Sequence, residues 1–248
     1  MKIASKNPKK TAEIKTTEIL ILSEDEQSFL LYLHYFFGQF KVQEQTKELE
    51  PHKIIKKNLP KFKQEHKPRF YIITNLQDNK QLRITIFHPG SSPKTILDTA
   101  RAISQKKYFT KIYCVFDYVF ENKHKDNHHQ YNNIIPQKET LEKRKIYLIN
   151  SVPSYEYWLL THFKNCGKIF SSEEKLIEEL KTATTLKYDK SDRDFFKNSF
   201  QDLYKVKYLK QAILNCKQQN QHNQQNQTPN NNPSSRIYEV VEYIKTFL

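Results

Sequence analysis

Two short runs of apolar residues, 18–23 and 111–117, constrain the fold of this chain more than any other feature of its sequence. The first reads Glu-Ile-Leu-Ile-Leu-Ser and the second reads Lys-Ile-Tyr-Cys-Val-Phe-Asp. Neither run alternates apolar with polar residues, as a strand with one solvent-facing side does. Continuous apolar strands of this length are typical of parallel sheets that helices cover on both faces. The two runs therefore predict buried central strands of an α/β fold.

Strand and helix patterns alternate along the first two thirds of the chain. Apolar residues recur at helical spacing over residues 25–37, just before Gly38, which is a natural helix end. A second helix is predicted to begin at Pro93, where the preceding serines can cap it. Further strands are predicted at residues 70–74, 82–87 and 146–149, and a further helix at residues 155–163. This alternation predicts a mostly parallel sheet that is flanked by helices.

Composition divides the chain into segments. Residues 1–17 form a basic N-terminal tail, and residues 18–165 carry the strand and helix alternation of the α/β domain. Residues 166–217 are predicted to form a helical C-terminal region. Residues 218–233 are almost all Gln and Asn with two Pro, a composition that is typical of a flexible linker. Helical spacing returns in residues 234–248, which predicts a C-terminal helix that packs on the body of the domain.

Charge and composition restrict the possible partners. The formal net charge is +14, from 41 Lys and Arg against 27 Asp and Glu, which favours a polyanion such as nucleic acid. An AT-rich coding genome would explain the abundance of Lys and Asn equally well. Only 3 Gly are present, which excludes Gly-rich phosphate-binding loops, and the 3 Cys lack zinc-site spacing. No apolar run reaches the roughly 18 residues of a membrane span, so we expect a cytoplasmic protein without a membrane partner.

Acidic residues follow two of the predicted strands. Glu24, Asp25 and Glu26 come directly after the first strand, and Asp117 ends another. Because ligands of open parallel sheets gather at the carboxyl ends of the strands, these acids are candidates for a Mg²⁺ or Mn²⁺ site. A structural interpretation is also open, in which the first three acids favour the N-terminus of the following helix and Asp117 caps a loop.

Several stretches occur in an order that is shared with a known family. They are residues 19–26, 90–100, 115–117, 152–163, 188–190 and 232–235. The most specific is the stretch 152–163, Val-Pro-Ser-Tyr-Glu-Tyr-Trp-Leu-Leu-Thr-His-Phe, which holds the single Trp of the chain. In these features the chain resembles the RloB-like family over roughly residues 18–248.

The resemblance implies a TOPRIM-like domain in which carboxylates hold Mg²⁺ or Mn²⁺ for chemistry on phosphodiesters. It assigns catalytic roles to Glu24, Asp117, Glu26 and Glu156, with Glu24 and Asp117 as metal ligands. Asp25 stands where the family usually has Gly and is a further candidate ligand, which could compensate for a lost carboxylate. It further implies a metal-dependent nuclease of a prokaryotic anti-phage or abortive-infection system, encoded near a partner ATPase of the AAA or ABC type.

The chain departs from the family pattern after Asp117. The family has Asp-x-Asp at this place, but here Asp117 is followed by Tyr118 and Val119. Losing one of three carboxylates weakens metal binding unless Glu121 or Asp126 reaches back from the loop. The alternatives are therefore a catalytically degenerate subunit that binds nucleic acid or acts as a sensor, or a protein–protein adaptor. A homo-oligomer is a further possibility that the sequence leaves open.

Three more residues are candidates for contacts with nucleic acid. Lys94 and Lys190 are suited to phosphate oxygens because a lysine ammonium is a compact charge. His162 lies in the marked segment, where a hydrogen-bonded core histidine is the other interpretation. Glu156, at the start of the predicted helix, fits either a functional acid or a capping residue that pairs with Ser154.

Overall fold

A six-stranded sheet forms the centre of the protein. The computed structural model describes residues 13–25, 27–45, 53, 55, 68–90, 92–118, 125–184, 187–190 and 192–248. The strands are β1 (Lys15–Ser23), β2 (Arg69–Asn75), β3 (Lys80–Phe87), β4 (Lys111–Asp117), β5 (Ile146–Val152) and β6 (Ser234–Ser235). Their order is β2-β3-β1-β4-β5-β6, with β2 and β6 antiparallel to their neighbours and the other pairs parallel. The predicted mostly parallel α/β fold is confirmed.

Helices cover both faces of the sheet. They are α1 (Ser28–Gln39), α2 (Pro93–Ser104), α3 (Lys125–Ile134), α4 (Lys138–Lys143), α5 (Glu156–Phe163), α6 (Glu173–Ala183), α7 (Arg193–Asn198), α8 (Phe200–Leu203), α9 (Val206–Gln225) and α10 (Ile237–Lys245). One core contains residues of α1 and of helices from α5 to α10, and the other contains residues of α2, α3 and α4. Among the described residues, no helix combines the length and the apolar character that crossing a membrane requires.

The central strand β1 is apolar over its buried half because it serves both cores. Ile19 and Ile21 point into the core beneath α1, whereas Leu20 and Leu22 point into the core beneath α2. All four side chains are fully buried. Successive side chains of a strand face opposite sides, so a strand that is covered on both sides needs apolar residues at every position. This is why the sequence run lacks polar alternation.

The Asn/Gln-rich segment is helical over much of its length, so its prediction as a flexible linker is wrong. Helix α9 continues to Gln225, eight residues beyond the predicted end at residue 217. Gln219 and Asn223 are buried on the inner side of this helix, and the Nε2 group of Gln219 donates to Asn223 Oδ1 at 2.9 Å. The linker interpretation rests on composition alone, but here buried amide side chains satisfy each other and the backbone by hydrogen bonds.

Asn223 supports the segment that leads into β6. Its Nδ2 group donates to the backbone carbonyls of Asn231 at 3.0 Å and of Pro233 at 2.7 Å. We expect Asn223→Ala to lower the free energy of unfolding by about 2 kcal/mol, because it leaves buried polar groups without partners. Urea unfolding should show this loss, while the change Gln224→Ala at an exposed neighbour should alter stability by less than about 0.5 kcal/mol. Equal effects of the two changes would contradict this role.

Two smaller predictions also need correction. Gly38 lies inside α1 and does not end it, because Lys41 adopts the left-handed conformation after the helix (φ 58°) and donates its N–H to the Gly38 carbonyl. The polar composition of the residues after Asp117 predicts a loop through Gln130, but α3 begins within this segment at Lys125. The helix predicted to start at Pro93 is found there, with the Ser92 hydroxyl accepting from the N–H of Thr95 at 3.2 Å.

Candidate functional site

Glu24 and Asp117 lie side by side at the carboxyl edge of the sheet. Their strands, β1 and β4, are neighbours that pair Ser23 with Val115. The N–H of Glu24 donates to the Val115 carbonyl at 2.9 Å, and the N–H of Asp117 donates to Glu24 Oε2 at 3.1 Å. The parallel ladder therefore continues through the Glu24 backbone and then through its side chain. This arrangement fixes the Glu24 carboxylate against the end of β4.

Burial changes the protonation of both acids. It raises the pKa of Glu24 to about 7, against the lowering effect of the Asp117 N–H, and Asp25 raises it further. It also raises the pKa of Asp117 well above its usual range, with Glu156 and Glu24 adding to the effect. Each charge disfavours the ionisation of its neighbours. The site therefore gathers carboxyl groups that a cation would stabilise in their ionised form.

Glu156 is the third acid of the site and is the first residue of α5. Its carboxylate is buried, with a residue exposure of 1%. Ser154 Oγ donates to Oε2 at 2.6 Å, and the hydroxyl of Tyr188 donates to Oε1 at 2.7 Å. The predicted pairing of Glu156 with Ser154 is present as a side-chain contact, although no side chain caps the backbone of this helix. These bonds hold the carboxylate in one orientation.

Lys190 supplies the positive charge of the site. Its Nζ lies 3.4 Å from Glu156 Oε1 and also pairs with Glu173 at the start of α6. Burial lowers the pKa of Lys190, but Glu156 and Glu173 outweigh it, so the pKa is raised overall and the side chain stays charged. The side chain of Lys190 is 47% exposed, so it faces both the acids and solvent.

Asp25 caps the N-terminus of α1. Its Oδ1 accepts from the N–H groups of Gln27 at 2.6 Å and Ser28 at 3.0 Å. Its Oδ2 accepts from the Ser28 hydroxyl and from the N–H of Phe29 at 3.2 Å. Both oxygens therefore satisfy the N-terminus of α1. The structural interpretation of this acid fits the geometry better than the predicted role as a metal ligand, since its acceptor capacity is already used.

His162 does not agree with the predicted contact to nucleic acid, because it is buried in the core. Its Nδ1 donates to the Trp158 carbonyl at 2.9 Å, and its Nε2 lies 3.5 Å from the Tyr32 hydroxyl. Burial lowers the pKa of His162 to about 4, so the ring is neutral at physiological pH. Trp158 is also fully buried beside it. The core interpretation of this histidine is the one that the structure supports.

Lys94 contacts α3 through its backbone. It lies in the first turn of α2, and its N–H donates to Gln130 Oε1 of α3 at 3.1 Å. It lines a groove between these helices together with Arg101. Glu26 and Glu121 lie outside the described residues, and the same holds for the side chain of Asp126.

The second acid of the family's Asp-x-Asp would stand at position 119, which holds Val and lies outside the described residues. The intervening residue, Tyr118, packs into the core. The Tyr118 side chain is buried, its hydroxyl donates to Asn132 at 3.2 Å, and its ring lies 3.9 Å from that of Tyr131. Residues that sequence reasoning missed also join the site, namely Tyr188, Glu173 and His88. His88 follows β3 at the same edge, and its Nδ1 donates to the Ser23 carbonyl at 2.9 Å. A polar residue directly after a parallel strand was the signal that could have found His88.

The donor set consists of hard oxygen ligands but is sparse. In the part of the chain that the structure describes, no group of three or more His, Cys, Asp or Glu side chains is arranged to hold a metal ion by itself. Mg²⁺ is commonly bound by one or two carboxylates, with waters and substrate phosphates completing the shell. Glu24 and Asp117 can provide such a pair, whereas Glu156 is engaged by Ser154, Tyr188 and Lys190.

Comparison with known proteins agrees with this architecture. A family model described as "RloB-like protein" matches residues 19–244, which span the sheet, the acid-bearing edge and the helical C-terminal region. No curated protein sequence matches the chain significantly. Since the match extends over nearly the whole chain, this protein belongs to the RloB-like family.

Proposed function

We propose that this protein is a metal-dependent phosphodiesterase that cleaves nucleic acid at the carboxyl edge of β1 and β4. The observation that carries the proposal is the bonded pair of Glu24 and Asp117, two acids brought together from residues far apart in sequence. Burial is the main cause of their raised pKa values, and neighbouring carboxylates add to it. Functional sites in proteins often have this electrostatic character.

The residues present fit a Mg²⁺ or Mn²⁺ ion held by two carboxylates. Glu24 and Asp117 would hold it, and substrate phosphate oxygens and water would complete its shell. When bound, such an ion supplies Lewis acidity, which neutralises charge on the phosphodiester and makes water a better nucleophile. The chain is basic overall, with a net charge of +14, so a local group of acids is the place where it would attract a cation and not a phosphate.

Lys190 has the complementary role in this proposal. Its ammonium group is partly exposed next to the acids, where it can donate to a non-bridging phosphate oxygen and offset the charge that builds up there. Glu156 and Glu173 position the lysine, and Tyr188 and Ser154 position Glu156. Glu156 is thus a positioning residue in this scheme.

The biological setting is proposed from the family resemblance. A role in prokaryotic anti-phage defence, together with a partner ATPase, is what the resemblance implies for an RloB-like chain. The positive net charge supports nucleic acid as the substrate class.

A second candidate function is a catalytically degenerate subunit that binds nucleic acid without cleaving it. It is favoured by the departure from the family's Asp-x-Asp, since Val119 stands where the second Asp is expected. It is also favoured because no self-sufficient set of metal ligands occurs among the described residues. The two candidates differ in one measurable property, which is divalent-cation binding at Glu24 and Asp117.

We expect Mn²⁺ binding to strengthen as the pH rises through the pKa of Glu24, about 7. A carboxylate must be ionised to hold a metal, so affinity should be roughly tenfold weaker at pH 6 than at pH 8. Calorimetric titration of Mn²⁺ at both pH values, followed by incubation with plasmid and with tRNA, tests this. Binding with Mn²⁺-dependent cleavage supports the phosphodiesterase. Absence of Mn²⁺ binding at either pH, with no cleavage, would leave the degenerate subunit as the better description.

A further inference from the structure

A second cavity opens at the amino edge of the sheet, at the opposite end of β4 from Asp117. Its volume is about 460 Å³, within the range of roughly 300–1,000 Å³ that is typical of ligand sites. It lies where α2 and α4 end and where β4 and β5 begin. Among its lining residues are Lys107, Phe109, Ile112, Lys143, Arg144 and Lys145.

The rim of this cavity is strongly cationic. Lys107, Lys143, Arg144 and Lys145 are all exposed, and no acid lines the cavity in the described part of the chain. Within that same part, none of the four is in an ion pair, and Oε1 of the nearby Glu142 lies 3.9 Å from the Nζ of Lys138. The C-termini of α2 and α4 carry about half a negative charge each, which the four cations exceed. The cavity therefore presents a net positive charge to its ligand.

The floor of the cavity is apolar. Phe109 and Ile112 form it and belong to the core between the sheet and α2, with residue exposures of 6% and 1%. These low exposures leave no open ring face for stacking, but a cavity of this volume with an apolar floor and a cationic rim can take in an unpaired base while its flanking phosphates are neutralised. A purely inorganic anion would make no use of this floor.

Two of the rim lysines occupy backbone positions that favour glycine. Lys107 (φ 53°) and Lys145 (φ 62°) adopt the left-handed conformation after α2 and α4. Gly is usual at this position of a helix end, and a side chain there carries a small conformational cost. Both positions nevertheless hold a lysine, and both lysines line the same cavity. This geometry also provides a substitution that removes charge without introducing backbone strain.

We infer that this cavity is an anchoring site for single-stranded nucleic acid, which places an unpaired base in the cavity above its apolar floor and contacts the flanking phosphates through Lys107, Lys143, Arg144 and Lys145. The inference deepens the proposed function, on which it rests for the substrate class. The 7 residues of β4 separate the two edges by about 20 Å. A nucleic-acid strand bound in this cavity would be held at that distance from the acids. Different residues would therefore determine the affinity for nucleic acid and its cleavage.

The test is fluorescence anisotropy with a labelled single-stranded oligouridylate, in EDTA, so that no divalent ion and no cleavage contribute. We expect Lys107→Gly/Lys145→Gly to weaken binding about tenfold. The slope of log affinity against log salt should fall by roughly 1.4, since each lost phosphate contact on a single strand contributes about 0.7. Thermal unfolding should show a stability equal to or above that of the wild type, because glycine suits both positions.

A charge-matched variant provides the control. Lys181→Gln/Lys217→Gln removes two exposed lysines from other surfaces and should leave affinity within about twofold of the wild type. Unchanged binding by the glycine variant, or an equal loss in the control, would overturn the anchoring site. A loss that is as large for duplex as for single-stranded ligand would overturn the single-strand assignment. Because binding is measured without metal, failure of the proposed cleavage would leave this result unaffected.

Discussion

Asp117→Asn is expected to abolish Mn²⁺ binding and to reduce nucleic-acid cleavage by at least about a hundredfold. Changes in residues that only support a metal ligand typically cost about 10–100-fold, so loss of a ligand should cost no less. The amide keeps the size of the carboxyl group, and the backbone N–H at this position still donates to Glu24 Oε2, at 3.1 Å in the wild type. Glu24→Gln should have an effect of the same size, since an amide oxygen can still accept that hydrogen bond but carries no charge.

Stability measurements make this result interpretable. Burial raises the pKa of Asp117, so its ionised form is disfavoured in the folded state. A raised acid pKa contributes stability at low pH that is lost as the pH rises through the folded-state value. At pH 8, Asp117→Asn should therefore be as stable as the wild type or more so in urea unfolding. Glu178→Gln, which changes an exposed acid of α6, is the charge-matched control and should keep full cleavage.

Cleavage that survives in both Asp117→Asn and Glu24→Gln would contradict the proposed site, because the other described acids of the site, Asp25, Glu156 and Glu173, are already engaged. Full loss of cleavage with retained Mn²⁺ binding would place the metal elsewhere and assign these acids to proton transfer. Loss of both in folded protein is the outcome that the geometry predicts.

The fold could be predicted at the strands whose burial is evident from the local sequence. β1 and β4 carry apolar residues on both faces, and this pattern is typical of a strand that is covered on both sides. β6 has no such signal, because Ser234 and Ser235 form a strand only through their pairing with β5. The Asn/Gln-rich segment was mispredicted for a related reason. Its amide side chains are polar, and the burial of Asn223 depends on tertiary hydrogen bonds that the local sequence does not reveal.

The acids of the candidate site could be predicted from the sequence, but the contacts between its residues could be predicted only in part. The strand ends placed Glu24 and Asp117 at one edge, and the pairing of β1 with β4 brings them into contact. The contact of Lys190 with Glu156 joins residues 34 positions apart, and no local pattern records it. The role of Asp25 could not be predicted. An acid that precedes a helix can be either a metal ligand or a helix cap, and only its hydrogen bonds distinguish the two.

Lys190→Met is expected to destabilise the protein by roughly 2 kcal/mol at pH 8. Removing one partner of a buried ion pair typically costs about 3–5 kcal/mol, and the solvent exposure of the lysine reduces this figure. The cost arises because Glu156 is buried and would keep an uncompensated charge.

The double variant Lys190→Met/Glu156→Gln separates this mechanism from simple loss of packing. A glutamine in place of Glu156 carries no charge but can still bond the Ser154 and Tyr188 hydroxyls, so it should recover most of the lost stability. Lys168→Met, which breaks an exposed pair with Glu179, should cost less than about 1 kcal/mol. If the double variant is no more stable than Lys190→Met, the lysine does not act through the charge of Glu156. Cleavage should stay low in both, since the substrate phosphate loses its cation in each.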